Sequence, residues 1–287
     1  MQAVSMLVAF VLCGTPEEEV VPNVLPDDQT RQAVQRALVF LEEGAASWRE
    51  KRKCVTCHRV AMNLWAQSDA KAMGLSVNED KLKELTDWSL EFCATDKNDE
   101  VPTGGFLHTM NQMILSQQNA RKDNRAIETF EVLVPIFARM QREDGSWKEG
   151  NQIKFEEAQR EADEVDTMWT LLALNSLARI GESLKEETRA SVDIMQKKAL
   201  TWLETSKQES RTDWIALRML VSQAYKEAPE VDRLRQELLA RQNQDGGWPF
   251  VRGGASHVHV TGESVYALRP PGFRWKIQRL VVHATFC

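Results

Sequence analysis

The chain has 287 residues, of which 43% are hydrophobic and 27% charged, and its net charge is −6. A chain of this length can bury a substantial core, and this balance is typical of a folded globular protein rather than a disordered one. Because the charge is mildly acidic and no long run of Lys and Arg occurs, the composition argues against nucleic-acid binding, which needs clustered cations.

Residues 1–14 are largely apolar and predict a secretory signal peptide, since the stretch suits an h-region and is too short to span a bilayer. An unprocessed apolar N-terminus or a misplaced start codon is the alternative. Residues 15–28 hold three prolines and five acidic residues and predict an acidic tether. We therefore expect export to the periplasm or the cell exterior, with no transmembrane span in the mature chain.

Residues 29–119 predict a set of N-terminal helices. Apolar residues at helical spacing favour a first helix over 29–44, ended by Gly44, and place Trp48 in a charged connection. The same spacing predicts further helices over 60–74, 78–94 and 107–118.

Residues 120–269 predict a second set of helices, and residues 270–287 a divergent tail that comes after a Pro-Pro break. A charged loop that runs through Glu161 separates the first two helices of this set. The predicted helices cover 123–141, 165–180, 186–206 and 211–225, then a segment opened by Pro229, and 261–268.

A short motif occurs twice in this second set. Gln141–Trp147 and Gln242–Trp248 both read Q-x-x-D-G-x-W, and each comes after an apolar-periodic segment. Asp-Gly supplies a turn that ends a helix, and the tryptophan anchors the next stretch of chain. A repeated helix–turn signature indicates stacked supersecondary units.

This motif resembles the glutamine–tryptophan repeat of the squalene/oxidosqualene cyclase and protein prenyltransferase superfamily. Thr261–Leu268 is similar to the helix that comes after the repeat in bacterial members, and the resemblance covers about 123–268. It implies an all-α fold, an α/α-toroid of helical hairpins. About ten helices are visible, fewer than in a complete family ring, so an incomplete ring is expected.

Cys54-Val-Thr-Cys57-His58 has the C-x-x-C-H spacing of covalent c-type haem attachment. The two thiols would form thioethers with the haem vinyl groups, and the adjacent imidazole would ligate the iron. Attachment of this type takes place outside the cytoplasm, which agrees with the expected signal peptide. Two alternatives stay open: a local disulfide, and a zinc site of Cys54, Cys57, His58 and Cys93.

The second axial ligand of such a haem is not fixed by the sequence. Met62 lies four residues after His58 on the same expected helix face, so it cannot approach iron from the opposite side. His108, Met110 and Met113 come from another helix; His108 is the preferred candidate, and an open sixth position is equally compatible.

The stretch Asp163–Thr167 resembles the D-x-D-D-T motif of squalene–hopene-type cyclases, whose third position is the acid that protonates the polyene. That position is Val165 here, and Glu164 points elsewhere around a helix, so protonation-initiated cyclisation is disfavoured. The simpler interpretation is that Asp163 caps a helix. No counterpart of the prenyltransferase zinc site is evident.

His257 and His259 could bind a metal from one side of an extended segment, although solvated loop histidines are commoner. Four tryptophans lie on apolar helical faces, where family members line a cavity with aromatic side chains, and core packing is the simpler interpretation. They are Trp88, Trp169, Trp202 and Trp214.

The leading hypothesis is an exported toroid protein that carries haem c and acts in electron transfer with a redox partner protein. A second is a terpenoid or isoprenoid cyclase relative, or a protein that binds an isoprenoid-like lipid in a hydrophobic cavity. A third is a non-catalytic helical scaffold in which Cys54 and Cys57 form a staple and no metal is bound.

Overall fold

The computed structural model describes residues 27–55, 59–94, 104–118, 124–148, 159–178, 183–205 and 210–269. These ranges form ten helices, and their β-structure is two isolated bridges, so the all-α prediction is confirmed. The helices are α1 (Asp27–Arg52), α2 (Ala61–Ala72), α3 (Glu79–Ala94), α4 (Gly104–Ser116), α5 (Asn124–Met140), α6 (Gln159–Ala178), α7 (Glu186–Leu203), α8 (Thr212–Ala224), α9 (Ala228–Leu239) and α10 (Val258–Leu268).

The helices pack in two rows. One row runs α2, α4, α6, α8, α10, each against the next, and a second runs α3, α5, α7. The rows meet through contacts that include α2 with α3 and α6 with α7, and α8 also packs on α9. Consecutive helices from α2 to α8 therefore alternate between the two rows, as expected of stacked helical pairs.

The even-numbered helices run parallel. Between α4 and α6, His108 lies by Asp166 and, one turn further along both helices, Asn111 donates to Thr170. Near their C-terminal ends, α2 and α4 are joined by the 3.2 Å bond from Gln118 Nε2 to Asp69 Oδ1. The N-terminal ends of these helices consequently lie at the same end of the molecule.

The core reflects helical periodicity. On α5, buried residues recur at Ala126, Phe130, Leu133 and Phe137, which is the spacing of one helix face. Met110 and Met113 on α4 are fully buried and belong to the same apolar cluster, so packing explains both methionines. Trp214 is buried in that cluster, and Trp88, Trp169 and Trp202 pack against it half-buried, as expected for core tryptophans.

The two Q-x-x-D-G-x-W turns have the same hydrogen bonds. In each, the glutamine Nε2 donates to the glycine carbonyl at 2.9 Å (Gln141 to Gly145, Gln242 to Gly246). The aspartate Oδ1 accepts the backbone N–H two residues later, at 2.9 Å in both copies. The motif is thus a structural repeat that closes a helix with a fixed turn.

The tryptophans of these turns join consecutive elements. Trp147 Nε1 donates to the Phe137 carbonyl at 3.0 Å, and its backbone N–H donates to Thr167 Oγ1 on α6 at 3.1 Å. Trp248 repeats both contacts, with the Leu238 carbonyl at 2.7 Å and with Thr261 on α10 at 2.9 Å. Each turn therefore fastens the end of one helix to the next helix of the even row.

Two predicted boundaries are wrong. Helix α1 continues through Gly44 to Arg52, so Trp48 lies within the helix and not in a connection. A single glycine costs a helix only about 1 kcal/mol, and the burial of Leu38 and Ala45 on the same helix offsets it. Helix α6 begins at Gln159, so Glu161 is helical.

Candidate functional site

The C-x-x-C-H segment comes after a left-handed turn at the end of α1. Lys53 has φ of 49°, and its N–H donates to the Arg49 carbonyl at 2.9 Å, which ends the helix. Cys54 is half-buried and Val55 fully buried, so the chain turns back onto the core here. Cys57 and His58 lie outside the described residues.

Beyond the motif, the chain is anchored again before α2. Val60 is fully buried, and α2 begins at Ala61. The guanidinium groups of Arg52 and Arg59 lie 5.6 and 5.8 Å from the ring centroid of Trp48. Val55 inside the motif and Val60 two residues after it are therefore both buried, and the cations Arg52 and Arg59 on either side of the motif lie on one indole.

His108 lies near the start of α4, beside a buried carboxylate. Its Nε2 is 3.1 Å from Asp166 Oδ1 on α6, and 28% of the histidine side chain but only 1% of the aspartate side chain is exposed. A carboxylate in this position can orient the imidazole. His108 is thus a partly accessible imidazole next to a buried carboxylate.

The acids of the 163–167 stretch each meet a different partner. Asp163 forms a 2.7 Å ion pair with Arg142, and Glu164 accepts a 2.7 Å hydrogen bond from Trp214 Nε1. Because α6 starts at Gln159, Asp163 lies inside the helix, and its predicted role as a helix cap is wrong. Val165 is 8% exposed and supplies no acid.

A buried charged network that the sequence did not predict lies where α6 and α8 begin. Glu161 accepts hydrogen bonds from Ser210 Oγ at 2.6 Å and from the Arg211 N–H at 2.8 Å. Arg211 in turn donates to both carboxylate oxygens of Asp213. Burial opposes the charge on Arg211, but Asp213 more than offsets this and leaves the arginine pKa raised.

The network continues to α10. His259 Nε2 lies 3.1 Å from Glu263 Oε1, one turn along the helix. Burial raises the pKa of the Glu263 carboxyl, and the bond to Glu263 raises the pKa of His259. The i, i+4 spacing of His259 and Glu263 is a sequence pattern that could have predicted their contact. The contacts of Glu161 join residues about fifty positions apart, so no such pattern predicts them.

The predicted metal pair His257 and His259 does not occupy one extended segment. His257 precedes α10, and His259 lies on the helix and turns to Glu263; their ring centroids are 6.5 Å apart. Within the described ranges, no group of three or more His, Cys, Asp or Glu side chains is arranged to hold a metal ion.

Cys93, the fourth ligand of the predicted zinc alternative, lies in the apolar cluster. Its side chain is 2% exposed, and burial raises the pKa of its thiol to about 12. A thiol in such surroundings behaves as a small apolar side chain, because the low dielectric disfavours the thiolate that zinc requires.

None of the described helices is long and apolar enough to cross a membrane. Comparison with protein-family models, with curated proteins and with solved structures gives no match. The fold and the site together describe an all-α protein in which buried charged side chains lie at the N-terminal ends of a row of parallel helices.

Proposed function

We propose that this protein is an exported α/α-toroid of the squalene-cyclase-like class that carries one covalent c-type haem and exchanges electrons with a redox partner protein. Cys54 and Cys57 would hold the porphyrin, and His58 would ligate the iron. The proposal is carried by one observation: Cys54 and Val55, the described part of the motif, turn back onto the core after α1, at the end of the molecule where α2 begins and α4 presents His108.

The surroundings of Cys54 fit such a group. Cys54 is half-buried, so it lies at the surface of the fold, and the left-handed turn at Lys53 brings it against the core. Arg52 and Arg59 add positive charge next to the motif, as the two carboxylates of a haem require. When bound, the haem would supply a reversible one-electron change at iron.

His108 is the candidate for the second axial position. Because its Nε2 faces Asp166, it would have to bind through Nδ1, and Asp166 would hold the ring in place. A carboxylate behind a ligating histidine is the usual arrangement, since it fixes the tautomer and strengthens the ligand.

The toroid is supported by the first and last helices of the even row. Trp65 on α2 lies 5.4 Å, centroid to centroid, from Tyr266 on α10, in an edge-on contact. Trp65 also lies 5.8 Å from Trp169 on α6. These side-chain contacts favour an inner ring in which α2 and α10 approach each other, with α3, α5 and α7 outside.

The same aromatic residues weigh against the lipid hypothesis. A toroid that binds an isoprenoid-like lipid needs an open interior, whereas Trp65, Trp169 and Tyr266 meet between α2, α6 and α10. Val165 stands where the cyclase acid is expected, so protonation of a polyene is not proposed.

The test is the visible spectrum of full-length protein exported from a host with cytochrome c maturation machinery, recorded after denaturation. We expect a Soret band and a reduced α-band that persist in denaturant and vanish in the Cys54→Ala/Cys57→Ala variant. The control is Cys93→Ala, which should keep the colour because Cys93 packs in the core. A colourless wild-type protein would sink the proposal, and metal analysis would then separate the zinc site from the scaffold.

A further inference from the structure

Helix α1 carries an exposed apolar face. Five exposed residues recur at the spacing i, i+1, i+4, i+7 and i+8, which places them on one side of the helix: Ala33, Val34, Ala37, Phe40 and Leu41. The largest of them, Phe40, is 71% exposed. On the other described elements, exposed large apolar side chains occur singly, whereas α1 holds four within eight residues. A cluster of this kind marks an interaction surface.

Neighbouring helices cover other sides of α1. Leu38 is buried, and its carbonyl accepts a 2.8 Å hydrogen bond from Gln67 Nε2 on α2. Next to this side, Glu42 forms a 2.7 Å ion pair with Lys81 on α3. Since successive residues are about 100° apart around a helix, the α1 apolar face lies on the side of Leu38 away from Glu42. The face therefore adjoins α2 on the side away from α3.

The chain leaves α10 close to this face. Tyr266, near the end of α10, lies 5.4 Å, centroid to centroid, from Trp65 on α2, and two residues further along α2 Gln67 reaches Leu38 of α1. The end of α10 and the middle of α1 thus contact the same part of α2. A helix with its side chains is about 10–12 Å across, so Leu268 lies on the order of 25 Å from the α1 apolar face. About eight residues of extended chain span such a distance.

Residues 270–287 come after α10 and lie outside the described residues. Their sequence has apolar residues at the same spacing as the α1 apolar face: Phe273, Ile277, Leu280 and Val281 stand at i, i+4, i+7 and i+8. The segment has 18 residues, enough to reach the face. It holds three Lys or Arg residues and no Asp or Glu, whereas the whole chain has a net charge of −6, so electrostatic attraction favours contact with the rest of the chain.

We infer that the α1 apolar face is the docking site of residues 270–287 of the same chain, with the apolar residues of this segment against Phe40 and its neighbours. Neither the face nor the segment includes the C-x-x-C-H motif, so this contact does not depend on a bound haem. Residues 1–26 and a second copy of the chain are the other occupants that the test distinguishes.

The test is hydrogen–deuterium exchange of the full-length protein, followed by mass spectrometry on peptides from residues 273–287. Phe40→Asp places a charge in the apolar face, so these peptides should exchange at least tenfold faster than in the wild type. Val39→Asp is the matched control: Val39 is 49% exposed on nearly the opposite side of α1, and its substitution should leave the exchange unchanged. Far-UV circular dichroism checks that both variants are folded.

A second pair of variants alters the segment itself. Ile277→Asp should release the same peptides, whereas Gln278→Asp, at a neighbouring position outside the apolar pattern, should not. Peptides from residues 273–287 that exchange in the wild type as fast as in the urea-unfolded chain would overturn the inference, and so would equal exchange in each variant and its control.

Two further outcomes would assign the face to another occupant and overturn the inference. One is a dimer in size-exclusion chromatography that Phe40→Asp abolishes, with protection of residues 273–287 absent. The other is protection of peptides from residues 1–26 that Phe40→Asp removes, again with residues 273–287 unprotected.

Discussion

Glu263 is a carboxylate inside the fold, with 8% of its side chain exposed. One oxygen meets His259, and the other has no hydrogen-bond partner among the described residues. Asp213 on α8 and Arg211 just before this helix act on the same carboxylate with opposite signs. A buried acid with one satisfied oxygen is costly when ionised, so protonation of this group is coupled to folding.

The two raised pKa values determine how stability depends on pH. His259 stabilises the fold below its ordinary pKa of 6.5, and this contribution is lost as the pH rises through the raised value. Glu263 acts in the same direction, since its pKa is raised above 4.5 and ionisation at higher pH destabilises the fold. The stability that His259 and Glu263 contribute to the fold is therefore expected to fall as the pH rises.

Glu263→Gln should lower the pKa of His259 towards 6.5 and reduce the loss of unfolding free energy as the pH rises above 6.5, because the bond that favours the protonated ring is removed. Titration of the His259 ring by NMR and urea unfolding at several pH values measure the two effects. Glu230→Gln, which removes the partner of Arg233 on α9, is the control and should leave His259 unchanged. An unaltered His259 titration in Glu263→Gln would contradict the coupling of these two groups.

At the residue scale, sequence reasoning works where the chemistry is local. The Q-x-x-D-G-x-W turns can be predicted because their hydrogen-bond partners lie within a few positions, whereas the haem assignment of the C-x-x-C-H motif stays a prediction. The contact of Glu164 with Trp214 is not, because it joins two helices and depends on their packing. The burial of Glu161 could not be predicted for the same reason. In the sequence it lies among other acidic residues and is expected to be solvated, and its partners Ser210 and Arg211 are distant in the chain.

The two repeat turns are the elements that set the helix connections. Gly145 has φ of 97°, and a Cβ built on it would lie 2.5 Å from the Lys198 carbonyl oxygen on α7. Glycine is therefore required both for the backbone conformation and for the close approach of a neighbouring helix. Gly44 presents the opposite case, since it lies in α1 and a Cβ added to it would meet nothing within 4 Å.

Gly145→Ala should lower the free energy of unfolding by about 2 kcal/mol or more, because left-handed strain and a backbone clash add. Gly44→Ala, its matched control, should be neutral or stabilising by up to about 1 kcal/mol, since alanine favours a helix. Chemical denaturation of both variants measures the difference. Equal stability of the two proteins would mean that the turn is not the rigid connection described.

At the element scale, apolar periodicity predicts all ten helices, and the errors fall at their ends. Glycine often ends a helix, which predicts a stop at Gly44, but contacts of Leu38 and Ala45 carry α1 past it. The predicted start of α6 is too late because its first turns are charged, and those charges are stabilised by residues at the start of α8 and by Arg142.

At the scale of the whole molecule, the proposed ring depends on the contact between Trp65 on α2 and Tyr266 on α10. A double-mutant cycle with Trp65→Leu and Tyr266→Leu should give a coupling energy of about 0.5–1.5 kcal/mol, as for other edge-on aromatic pairs. Trp65→Leu combined with Leu239→Ala, an exposed position on α9, should be additive. Additivity in the first cycle would argue against a closed inner ring.

The repeat in the sequence predicts an all-α toroid. The all-α class is confirmed by the helices of the described residues. The filling of the interior could not be predicted, because the meeting of Trp65, Trp169 and Tyr266 depends on three helices distant in the chain. In the proposed ring, that contact weighs against an open lipid cavity.

The most direct test of the proposed haem is the intact mass of the denatured, full-length exported protein. We predict that the wild type carries the additional mass of one haem, that the peptide containing Cys54 and Cys57 holds it, and that the Cys54→Ala/Cys57→Ala variant lacks it. A wild-type mass equal to that of the polypeptide alone, from a host that matures other c-type cytochromes, would contradict the central claim.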